Sequence, residues 1–202
     1  MNFFDLLNFF NKDLFTKFQI NIYNKSDNNL DFIMNTAKNV ALNNVENKGR
    51  EGETYLQHII TNYDSLSDYT LFIQDDTNNH IQDMNSFINK TTDIVLSNKE
   101  CFYQFKTTWR EDIKVVVTRI IRNGMLKDVE TMKDPYSIKK AGERLLISIP
   151  HIYLSETCAF FIVHKNIIRK KPVEFYINIR NWLLENDDNG YTLELLWILI
   201  FS

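Results

Sequence analysis

Two stretches decide the fold: NNVENKGREGETYLQHII at residues 43–60 and YTLFIQDD at residues 69–76. Gly49 can adopt a backbone conformation closed to residues that carry a side chain. A helix opening at Arg50 or Glu51 then offers unpaired N–H groups and a partly positive terminus. Phosphate suits such a terminus, and Arg50 adds a two-pronged contact. The helix is read from Tyr55, Leu56, Ile59, Ile60 and Tyr63, which recur at three- and four-residue spacing as one apolar stripe. Asp64, Ser65, Ser67 and Asp68 break it. Residues 69–73 read as a buried strand, so Gln74, Asp75 and Asp76 fall where open α/β sheets place ligands, beyond the carboxyl ends of strands. Oxygen ligands there suit Mg²⁺ or Mn²⁺, and His80 adds a softer ligand compatible with Mn²⁺. The competing readings are a solvated turn or helix cap at Asp75 and Asp76, a turn with a surface ion pair at residues 49–51, and a packed or exposed side chain at His58.

Outward from this centre, 202 residues with 44% apolar and 24% charged composition are expected to form one soluble domain over residues 1–202. A formal net charge of -3 disfavours nucleic acid as a partner. Cys101 and Cys158 lack metal-ligand spacing and read as free thiols of a reducing compartment. Residues 1–18 carry Phe3, Phe4, Leu6, Leu7, Phe9 and Phe10 between polar positions, which predicts an amphipathic helix packed on the domain. The run is too short and too polar for a transmembrane segment and lacks the basic start of a signal peptide, so a cytoplasmic location is expected. A membrane-surface or partner-binding helix is the alternative.

Residues 18–23 alternate as a strand that ends in Tyr23, an aromatic that by itself reads as core, and residues 39–45 read as a second strand. Residues 81–89 read as a helix, 91–96 as a strand or buried turn, and 101–105 as a strand. Periodicity leaves 109–121 open between helix and strand. Residues 122–148 read as a flap or a surface excursion, with Lys139, Lys140 and Arg144 as a solvated cationic face or a contact for a diphosphate. An apolar strand is expected to end at His164, a helix cap or a catalytic group, and a helix to follow with Pro172 in its first turn. The last helix is apolar nearly all round except for Glu194. A carboxylate there needs a partner such as Arg50 or Arg180, or a chemical role as general base.

Asn47, Gly49, Arg50 and Glu51, then Thr54, Tyr55 and Leu56, then Phe72, Ile73 and Gln74 resemble the signature of an uncharacterised family of small glycosyltransferase-like proteins. More distantly they resemble rhamnan-synthesis-type transferases. Ala159, Phe161 and Val163, Arg169 and Pro172, and Glu194, Trp197 and Phe201 extend the likeness to the end of the chain. The resemblance implies a single GT-A-like nucleotide-sugar-binding α/β domain with a mixed, mostly parallel sheet flanked by helices. It implies a nucleotide-sugar donor at Tyr23, Asn47, Gly49, Arg50, Glu51 and Gln74, Mn²⁺ or Mg²⁺ at Asp75, Asp76 and His80, and catalysis by Glu194 and Asp76. The acceptor is expected to be a glycan or a protein, and a homo-oligomer is compatible. One departure is that Gln74-Asp75-Asp76 stands where the transferases carry Asp-x-Asp. The alternative function is a noncatalytic glycan- or protein-binding module on a degenerate transferase fold. A metal-dependent phosphoesterase or nuclease is less supported, since one acidic pair is fewer carboxylates than such sites use.

Overall fold

The computed structural model describes residues 18–27, 29–31, 39–74, 81, 83–105, 114–117, 119–122, 125–128, 138–155 and 159–202. In chain order the elements are β1 (Ile20–Asn24), β2 (Val40–Asn44), α1 (Arg50–Thr61), β3 (Tyr69–Phe72), α2 (Met84–Ser97) and β4 (Phe102–Gln104). They continue with β5 (Lys114–Val117), β6 (Arg119–Arg122), β7 (Met125–Asp128), α3 (Ile138–Leu145), β8 (Ile152–Ser155), β9 (Phe161–His164), α4 (Lys165–Ile168), α5 (Val173–Glu185) and α6 (Asn189–Ile200).

The protein is mixed α/β. The expected mostly parallel sheet is corrected by the strand pairings: among the described residues only β1 and β2 pair in parallel, whereas β9 lies between β3 and β4 and runs antiparallel to both. β5 pairs with β8 and β6 with β7, again antiparallel. The physical reason is that an uninterrupted apolar run such as residues 161–163 fits any strand covered on both faces, and its direction is not written in its periodicity.

β9 is buried along its whole length and divides two apolar layers. Phe161 and Val163 face Tyr55, Leu56 and Ile59 of α1, Ile179 and Leu183 of α5, and Leu196 and Trp197 of α6. Ile162 turns the other way, toward Phe87 and Ile94 of α2. This alternation is what a pleated strand imposes on successive side chains. The residues of the two signature blocks meet here: Tyr55 Oη donates to Ala159 O at 2.9 Å, and the Phe161 and Trp197 ring centroids lie 5.1 Å apart. Gly52 permits the close passage of α1 past α6, since a Cβ there would lie 2.8 Å from Leu193 Cδ2.

Other expectations change in detail. Residues 91–96 are helical, not a strand or buried turn, because α2 continues to Ser97. Thr91 and Thr92 are accommodated by donating their hydroxyls to Phe87 O and Ile88 O at 2.8 and 2.7 Å, the back-bonding that lets threonine remain mid-helix. The segment left open at 109–121 holds strands β5 and β6, and 122–148 contains β7 and α3. No described helix is long and apolar enough to cross a membrane. Residues 1–17, Asp75, Asp76, His80 and Cys158 lie outside the described residues.

Candidate functional site

The parallel pair β1 and β2 ends at Asn24 and Asn44, whose side chains are joined by an Asn24 Nδ2 to Asn44 Oδ1 hydrogen bond of 3.0 Å. Asn24 Oδ1 also accepts from Ser26 N and Ser26 Oγ at 3.0 and 2.7 Å, which closes the turn after β1. The chain leaving β2 reaches Gly49 with φ 63° and Arg50 with φ 53°, two left-handed residues in succession, and then enters α1. Beside this turn lies a cavity of about 240 Å³ lined by Asn44, Val45, Glu46, Lys48, Glu53, Gln57 and Arg180. It occupies the place at the carboxyl end of parallel strands where α/β proteins bind ligands.

Glu53 organises the cavity wall. It is 2% exposed, and its Oε1 accepts from Arg180 Nε at 2.9 Å and Nη2 at 2.6 Å. Its Oε2 lies 3.3 Å from Lys25 Nζ. Lys25 Nζ also donates to Lys48 O and Arg50 O, each at 2.5 Å, so one ammonium fastens the turn to the buried carboxylate. Burial pushes the Lys25 ammonium below its ordinary pKa, with Glu53 opposing the shift. A buried carboxylate is tolerable when paired and hydrogen-bonded in this way. Lys48 pairs with Glu46 at 2.6 Å. The lining thus has two carboxylates, two cations and the amides of Asn44 and Gln57, a polar surface with no net charge.

Gly49 forms the left-handed turn as read from the sequence, and carboxylates stand close to it. Glu51 and Glu53 occupy the first turn of α1 and complement its dipole from within the chain. Arg50 is held by its own set of partners: the Tyr191 ring centroid at 4.2 Å, Glu51 Oε2 at 3.6 Å and Glu194 Oε1 at 3.8 Å. Glu194 therefore has Arg50 as an ionic neighbour, one of the two arginines expected for it. Gly190 leaves room for this arrangement, since a Cβ there would meet Arg50 Cδ at 2.6 Å.

Tyr23 ends beside His58, with Tyr23 Oη 2.9 Å from Nδ1 and the two rings edge to face. Burial raises the Tyr23 pKa and lowers that of His58. Gln74 follows β3 and is partly buried, and Asn47 is exposed. His164 is a cap: its Nδ1 accepts from Asn166 N at 3.1 Å at the start of α4. Asp75, Asp76 and His80, the expected metal ligands, lie outside the described residues. Among the described residues no group of three or more His, Cys, Asp or Glu side chains is placed to hold a metal.

Neither Tyr23, Asn47, Gly49, Arg50, Glu51, Gln74 nor Glu194 lines the cavity. The residues that do line it were missed in the sequence, apart from Arg180 as a partner considered for Glu194. One signal was present. Glu53 lies three residues before Leu56, so extending the apolar stripe of α1 toward its N-terminus reaches a carboxylate that must be buried and paired.

No curated protein and no solved structure matches the chain. A family described as Protein of unknown function (DUF3431) matches residues 10–202, a span that takes in both signature blocks, the turn at Gly49 and every residue of the cavity lining. The chain therefore belongs to that family of unknown function.

Proposed function

We propose that the protein is a glycosyltransferase that moves a sugar from a nucleotide-sugar donor to an acceptor hydroxyl on a glycan or protein. The observation that supports this reading is the polar cavity where β1 and β2 end and α1 begins. The resemblance assigns the diphosphate to Gly49, Arg50 and their neighbours and the metal to Asp75, Asp76 and His80. Mn²⁺ or Mg²⁺ held there would neutralise the leaving diphosphate, and Glu194, beside Arg50, is the carboxylate proposed to take the acceptor proton. The test is a thermal-shift screen of nucleoside diphosphates and nucleotide sugars with and without Mn²⁺. A ligand at one hundred times its dissociation constant adds about 2.7 kcal/mol of stability. An Mn²⁺-dependent shift with one nucleotide, followed by sugar transfer, supports the reading; no shift with any of them on folded protein removes it.

A second reading, a noncatalytic glycan-binding module, is favoured by one observation. Lys25, Lys48, Arg50 and Arg180 each already face a carboxylate, so a diphosphate has to compete for its cations. Sugar binding without nucleotide binding would select this reading.

A further inference from the structure

We infer that the cavity receives the sugar ring of the ligand, a neutral hydroxyl-rich group, while any diphosphate lies outside it, and that Gln57 and Glu53 are its specificity-determining residues. The inference rests on the carbohydrate reading shared by both proposed functions. Size is the first argument. At about 240 Å³ the cavity is smaller than the roughly 300–1,000 Å³ of pockets for drug-sized ligands, so it accommodates one ring and not a whole nucleotide sugar.

Charge is the second argument. Glu46 and Glu53 balance Lys48 and Arg180 in the lining, and both cations are engaged by those carboxylates at 2.6 Å. A phosphate placed here would face the buried Glu53 carboxylate, whose cations are already engaged, whereas a neutral polyol meets no such repulsion.

Hydrogen-bond capacity is the third. An ionised carboxylate offers about four acceptor sites. Glu53 Oε1 takes two N–H groups from Arg180 and Oε2 faces Lys25, which leaves Oε2 with room for a donor from the cavity. Gln57, one helical turn further along α1, offers both an acceptor and donors on the same wall. Hydroxyl groups donate and accept at once, so they match a wall of this mixed kind. The Lys25 and Arg180 clamp fixes the Glu53 carboxylate in advance, so little side-chain freedom is lost on binding.

The experiment is saturation-transfer NMR on the full chain with glucose, galactose, mannose, rhamnose and N-acetylglucosamine, alongside UDP, GDP, their glucose and mannose conjugates UDP-glucose and GDP-mannose, and inorganic pyrophosphate. Gln57→Ala is the informative variant, because alanine favours the helix and the side chain is not part of the sealed core. At least one sugar is expected to bind, about tenfold more weakly in Gln57→Ala, with no competition from pyrophosphate and little response to salt. Absence of binding by every sugar, or displacement of the bound sugar by pyrophosphate, overturns the inference. A nucleotide sugar bound equally by wild type and Gln57→Ala also overturns it but leaves the transferase proposal standing. Sugar binding that depends on Gln57, with no nucleotide bound, supports the inference and defeats the transferase.

Discussion

Glu53 on α1 and Arg180 on α5 form a two-pronged ion pair, at 2.9 and 2.6 Å, between residues 127 positions apart. The pair joins the helix that follows the parallel strands to the helical end of the chain, and it forms one wall of the cavity. One carboxylate therefore serves both the joining of the two helices and the wall of the cavity.

Glu53→Ala leaves two cations without their partner. Removing one member of a fully buried pair costs about 3–5 kcal/mol. The side chains of Arg180 and Lys25 are 32% and 17% exposed, and water recovers part of that loss. We therefore expect about 2–3 kcal/mol from urea unfolding. The Glu53→Ala, Arg180→Ala double variant should lose less than the sum of the two single losses. Strict additivity would mean that the pair is not coupled.

Gly52→Ala sets a local gain against a packing loss. Alanine in place of glycine favours a helix by about 1 kcal/mol. The added Cβ, 2.8 Å from Leu193 Cδ2, forces the buried Leu193 side chain to shift, and overpacking of this kind costs about 1–3 kcal/mol. Packing should prevail and the melting temperature should fall. In the Leu193→Ala background the same substitution should cost less. A Gly52→Ala protein more stable than wild type would show that the Leu193 side chain gives way at little cost.

His58 is held below its ordinary pKa by burial, with Tyr23, Asn62 and Phe72 around the ring. The folded chain therefore refuses a proton that the unfolded chain takes up once pH falls below about 6.5. The stability contributed by neutral His58 is complete above that pH and is lost as pH falls toward the folded pKa, by at most about 1.4 kcal/mol per pH unit. Against His58→Gln, wild type should lose melting temperature more steeply from pH 7 to pH 5. Parallel curves would place the folded and unfolded pKa values of His58 together.

Periodicity made the helical frame legible. The stripe from Tyr55 to Ile60 announces α1, and the nearly all-apolar final run announces α6 as a buried helix. Strand direction was not legible, since the buried run ending at His164 carries no mark of whether its neighbours run with or against it. The threonines at 91 and 92 suggested a strand because β-branching lowers helix propensity, but their hydroxyls find the carbonyls four residues back and α2 continues. The turn at Gly49 was legible as geometry. Its chemistry was not, because Lys25 and Arg180, distant in sequence, combine with Glu53 to set the charge of the site only after the chain folds.

Mapping amide shifts of nitrogen-15-labelled protein during titration with the best-binding sugar or nucleotide sugar would locate the ligand. The largest changes should cluster at Asn44, Lys48, Glu53 and Gln57, with the Arg180 side-chain Nε–H among them. Changes that leave those positions still and centre on Gly49, Arg50, Tyr191 and Gln74 would contradict the cavity as the place where the ligand is held.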